Sequence, residues 1–148
     1  MDNTKIFIEN TINGCSGFLT NKGTMSQNNI NAITGTLINE LQMTNNNIKT
    51  VKDLNNTKNF ENNDITTITN IVNTNIISDN IFITVDDINN TESIQENMID
   101  YIKSLENSGT FTNNVINNIN AKLTNKKTIS NNTIGDIATD LVNNNHTI

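Results

Sequence analysis

The sequence predicts a mainly α fold: a helical bundle or coiled-coil-like helices with a small β element at residues 5–20 and 81–85. Three observations carry this reading. The spelling Ile-x-x-Ile-x-x-x-Leu occurs at Ile30, Ile33, Leu37, again at Ile116, Ile119, Leu123, and again at Ile134, Ile137, Leu141, with a near copy at Ile65, Ile68, Val72. Steps of three and then four return side chains to one face of a helix. The chain contains no proline, so nothing of that kind interrupts a helix interior. Glu92, Glu96 and Asp100 precede Lys103, the order of charges that a helix dipole favours.

Composition sets the limits. The 148 residues suit one domain, read as a hairpin arm at 5–20, a helical region at 24–142 and a frayed tail at 143–148. Apolar residues make up 34% of the chain, and there is no Trp. The core is therefore expected as a thin seam, part of it shared between copies in a homo-oligomer. Asparagine dominates, at 35 residues. Each one in a helix costs about 0.6 kcal/mol relative to Ala, so the helices should depend on packing against partners. An AT-rich coding sequence would also raise Asn and Ile, although lysine is modest.

The net charge is −6, and all nine basic residues are lysine. Without the Arg fork or a lysine cluster, nucleic-acid binding is disfavoured. No stretch reaches the length of a membrane span, and Met1 to Lys5 does not open a signal peptide. A virion or cytoplasmic setting is favoured. Cys15 stands alone, so no internal disulfide is expected.

In chain order, Lys5-Ile6-Phe7-Ile8, the turn signal Asn13-Gly14 and Phe18-Leu19 read as a hairpin. From Thr24 an amphipathic stripe carries Met25, Ile30, Ile33, Leu37, Leu41, Ile48, Val51 and Leu54, with Thr44 filling one seam position. The Asn45–Asn47 run either faces outward or divides this helix. Asn62-Asn63-Asp64 caps a helix through Ile65, Ile68, Val72 and Ile76, a stretch crowded with strand-favouring Thr and Ile. Ile81, Ile83 and Val85 alternate as a strand. Helices follow over Ile94–Leu105, around Val115–Leu123, and over 131–142. The copies of the Ile/Leu spelling begin at 30, 65, 116 and 134. These unequal spacings argue against a solenoid, which needs a fixed period.

Catalytic chemistry finds little support. His146 is the single histidine, in a polar tail, and reads as a spectator. Asp86-Asp87 reads as a charged turn rather than a cation site, because it lacks a calcium-loop pattern. Glu92, Glu96 and Asp100 read as a solvated ridge. Neither a cofactor motif nor metal-ligand spacing is present. Four Asn-x-Thr triplets begin at Asn55, Asn89, Asn131 and Asn145, no more than chance supplies.

The sequence therefore predicts a non-enzymatic structural or assembly protein, a virion or fibre component that self-associates through its helices. The expected interface or core-seam residues are Ile30, Ile33, Leu37, Leu41, Ile48, Val51, Ile116, Ile119, Leu123, Ile134, Ile137 and Leu141. The Asn/Thr/Ile usage is similar, in composition alone, to that of phage-fibre stalks and surface adhesins. The alternative is an effector-type module that engages a host protein through a helix groove. A small hydrolase would need Asp86, Asp87 or Cys15 gathered in one cleft.

Overall fold

The computed structural model describes residues 1–144. Among these residues there is no helix; there are twenty strands in two sheets. The strands pair in parallel with partners 17 or 18 residues away, as Ile65 does with Ile48 and Phe82, and Ile116 with Ile134. The chain is a parallel β-solenoid in which each coil lies on the one before it. A coil has a long bent segment, such as Asp64–Asn73, and a short strand, such as Ile76–Ser78. The long segments form the twelve-stranded sheet and the short strands the eight-stranded one.

Four apolar columns fill the interior. The first runs Ile30, Ile48, Ile65, Phe82, Ile99, Ile116; the second Ile33, Val51, Ile68, Val85, Ile102, Ile119; the third Leu37, Leu54, Ile71, Ile88, Leu105, Leu123. The short strands add Met25, Met43, Phe60, Ile77, Ile94 and Phe111. Like sits on like at the spacing of neighbouring strands, about 4.8 Å. Branched Ile and Val are stiff at χ1 and suit this stacked, pleated surface. The helical prediction fails here for a definite reason. The chain turns outward for two residues between the first and second inward positions, and for two or three between the second and third. That gives steps of three and three in 17-residue coils and three and four in 18-residue coils, and the latter matches a helical step.

The unequal spacings also resolve. Ile30 to Ile65 is one 18-residue and one 17-residue coil, Ile65 to Ile116 is three 17-residue coils, and Ile116 to Ile134 is one 18-residue coil. The intervening copies are present with other side chains, as Phe82, Val85, Ile88 and Ile99, Ile102, Leu105. The extra residue of the long coils falls between the second and third inward positions, where the register shifts at Ile33/Thr36 and Ile102/Ser104. Gly35 lies in one such insertion, and a Cβ there would sit 2.2 Å from the Gly17 carbonyl oxygen.

Other expectations are corrected with this one. The region 24–142 is strand and turn, without helical-bundle or coiled-coil packing and without a helix groove. Residues 5–20 do not form a hairpin: Ile6–Ile8 pairs with Thr24–Ser26, and Thr11–Ile12 with Asn29–Ile30, both in parallel. The strand Ile81–Asn90 pairs with its neighbouring coils rather than with residues 5–8. Eight of the twelve seam residues form the interior columns of a single chain, while Ile134 and Ile137 are partly buried and Leu41 and Leu141 exposed. Asn143 lies in the strand Asp140–Asn143 and the Asn144 backbone amide donates to the Asn125 carbonyl at 2.9 Å; residues 145–148 of the expected tail, with His146 and the triplet at Asn145, lie outside the described residues.

Two asparagine ladders hold the polar turns. One comprises Asn3, Asn21, Asn39, Asn56, Asn73, Asn90, Asn107, Asn125 and Asn143. In it each Nδ2 donates to the Oδ1 of the next, for example Asn56 to Asn73 at 2.8 Å and Asn73 to Asn90 at 2.9 Å. The same Nδ2 also reaches a backbone carbonyl of the next coil, as Asn73 does to Ser93 at 2.9 Å. The other comprises Asn28, Asn46, Asn63, Asn80, Asn97, Asn114 and Asn132. There Oδ1 accepts both the backbone and side-chain N–H of the preceding member: Asn63 Oδ1 receives Asn46 N at 3.0 Å and Nδ2 at 2.9 Å. Among the described residues no buried side-chain nitrogen or oxygen lacks a partner. Asn is a poor helix former because its amide competes for backbone bonds; here that competition is what closes each turn.

Before each member of the second ladder the backbone crosses to positive φ, from Gln27 at 55° and Asn45 at 56° to Glu96 at 59°. An L-residue without a short polar side chain is strained there by roughly 1–2 kcal/mol. Glu96→Gly is therefore expected to raise stability, by about 0.5–1 kcal/mol after the entropic cost of glycine, read by urea denaturation. In-frame removal of residues 64–80 joins Asn63 to Ile81 in register. It should leave a shortened protein with a cooperative melt and β-type circular dichroism, whereas removal of residues 64–72 should abolish the melt.

Candidate functional site

Because the inward positions are committed to the core and ladders, chemistry must come from the outward columns. Along each long segment the inward Ile71-type position is flanked by two outward residues. On one side these stack as Thr36, Asp53, Asn70, Asp87 and Ser104; on the other as Asn55, Val72, Asn89 and Glu106. The two columns bound a groove of about 480 Å³, with Ile71 and Ile88 along its floor. The first wall is tied together: Asn70 Nδ2 donates to Asp53 Oδ1 at 2.6 Å, and Ser104 Oγ donates to Asp87 Oδ1. Asp53, Asn70, Asp87 and Ser104 are half-buried, whereas Asn55, Asn89 and Glu106 are exposed.

Of the residues the sequence assigns to an interface or core seam, Ile30, Ile33, Leu37, Ile48, Val51, Ile116, Ile119 and Leu123 are fully enclosed in the apolar columns. Ile134 and Ile137 are partly buried against them. Leu41 faces solvent at 47% exposure, because its position in the coil is an outward turn; Leu141 is 52% exposed in the last described strand.

Asp86 and Asp87 are neighbours in sequence but stand in different outward columns, and only Asp87 enters the groove. Cys15 belongs to the second inward column, bridged to Ile33, with its Sγ 3.5 Å from the Phe18 carbonyl. Glu92, Glu96 and Asp100 do not form a ridge: a turn, a positive-φ corner and a long strand hold one each. The triplet residues Asn55, Asn89 and Asn131 are exposed. Among the described residues no three His, Cys, Asp or Glu side chains gather as a metal site.

Sequence reasoning missed the groove and the ladders alike. Their signal is present, since asparagine recurs at every 17 or 18 residues from Asn3 to Asn143, but it emerges only when the chain is written in coils.

The fold and its ladders place the chain in the architectural class of parallel β-solenoids with stacked asparagines. No family model matches it, and neither the curated proteins nor the solved structures give a match.

Groove and ladder asparagines should separate cleanly in stability. Asn73→Ala strips a buried amide from two ladder neighbours and is expected to cost about 2–4 kcal/mol. Asn70→Ala, three residues earlier on the same strand but half-exposed, should change stability by about 0.5 kcal/mol or less. Paired urea denaturation curves measure both.

Proposed function

We propose that the chain is a non-enzymatic structural module, a stiff length of rod of the kind used in a fibre or virion, and that copies of it associate side by side. The observation that supports this is an apolar strip on an outward face. Ile81, Met98 and Val115 are register partners in three consecutive coils, and Ile83 lies beside Ile81 on the same strand. Their exposures are 45, 53, 41 and 48%. The same column continues as Asn29, Asn47 and Asp64, so the strip is bounded by polar groups.

A β-sheet whose backbone is held on both sides presents such a strip without having to order it first. That lowers the entropic cost of association. The reading places self-association on the outer wall, since the inner seam is already filled. Nine ladder asparagines span eight coil spacings, about 38 Å of rod.

Sedimentation velocity across the micromolar range tests the proposal. Wild-type protein is expected to associate reversibly, and Met98→Lys should shift it to monomer with a melting temperature equal to that of wild-type protein diluted to the monomer. A wild-type chain that stays monomeric throughout would overturn it.

A further inference from the structure

We infer that the groove between the Thr36–Ser104 and Asn55–Glu106 columns binds a linear, uncharged glycan laid along the solenoid axis. The inference concerns a different face from the apolar strip and does not rest on self-association. Its basis is a match of repeats. The groove offers one set of polar groups per coil, at the strand spacing of about 4.8 Å, over roughly 19 Å from Thr36 to Ser104. An extended β-1,4-linked pyranose chain advances by close to one such spacing per sugar. Successive units are turned over relative to one another, so every second unit can meet the same kind of group in every second coil, as Asp53 and Asp87, or Asn55 and Asn89, are placed. An extended peptide advances about 3.3 Å per residue and falls out of phase.

The chemistry of the walls agrees. Asp53 and Asp87 each accept one bond within their column, from Asn70 and Ser104. In each pair the named bond uses Oδ1, which leaves Oδ2 of the carboxylate to accept a sugar hydroxyl. Asn55 and Asn89 can donate and accept from the opposite wall. Between those two asparagines stands Val72, 42% exposed, an apolar side chain that suits the C–H face of a pyranose ring. Asp53, Asp87 and Glu106 line the groove without a lysine among its lining residues. They would repel uronic-acid glycans and nucleic acids, and the neutral amide, hydroxyl and valine groups that alternate with them suit the hydroxyls and C–H faces of a neutral glycan.

Calorimetric titration of the whole chain with cellohexaose, xylohexaose and chitohexaose tests this. At least one is expected to bind, about tenfold or more tightly than its own disaccharide. Asp87→Ala and Asn70→Ala should each weaken binding severalfold while leaving the melting temperature nearly unchanged. Asn117→Ala, on another face, should leave it intact. Three outcomes overturn the inference: no heat from any of the three at millimolar concentration with folded protein, equal loss in the Asn117 variant, or preferential binding of a polygalacturonate oligomer.

Discussion

One amide handed to the next, coil after coil, is the interaction on which the rest of the structure depends. A solenoid must turn its backbone several times per coil, and every turn leaves N–H and C=O groups that no strand satisfies. In this chain the side-chain amide of asparagine supplies both missing functions at once. Its Nδ2 bonds to the next asparagine and to a backbone carbonyl, and its Oδ1 accepts in return. Because the bonded groups are buried and neighbour polarises neighbour, each link is stronger than it would be in water and costlier to break. A slip of one residue would turn the apolar columns out to solvent. The same slip would orphan a buried amide at every level of the ladders, so columns and ladders together set the register of the whole rod.

That constraint explains which parts of the sequence could be read and which could not. The inward isoleucines were legible as a buried set, because apolar residues at regular steps must face something. The shape they line was not. In an 18-residue coil the inward steps are three and four, the same as on a helix, and only the 17-residue coils, with steps of three and three, break the tie. Ile65, Ile68, Val72 shows the consequence. A helical reading selects Val72 to complete the step, while the chain buries Ile71 and turns Val72 out to solvent. The high asparagine content was the better witness. As helix, it imposes a penalty at about 20 positions; as ladder, it is the source of order. Seventeen of the asparagines, counting Asn10, which opens the second ladder by donating to Asn28, fall at equivalent turn positions.

The groove was harder to read for a related reason. Asp53, Asn70, Asp87 and Ser104 are far apart in sequence and become neighbours only when the coil length is known. Adjacent residues such as Asp86 and Asp87 are by contrast separated, since a bent strand turns them toward different columns. Pairings by sequence proximity, including the expected ridge of Glu92, Glu96 and Asp100, assume a helix surface that this chain does not have. Once the fold is known, the sequence becomes a grid whose rows are coils and whose columns are faces, and function is sought down the columns.

Within that grid the outward columns differ in an informative way. A position that serves only to solvate a rod has no reason to be other than small and polar, and most outward positions are Asn, Thr, Ser or Lys. Two columns stand out, one by its residue types and the other by how its groups are held. One turns apolar over Ile81, Met98 and Val115, where exposure to water is unfavourable unless something covers it. The other gathers half-buried carboxylate, amide and hydroxyl groups that hold one another in place at the repeat of the strands. Folding requires neither feature, because the interior and the ladders already specify the coil. Each is therefore better explained by what the surface meets than by what the core needs. Since both lie on rigid sheet rather than on loops, a partner would find its contacts already arranged at intervals fixed by the backbone.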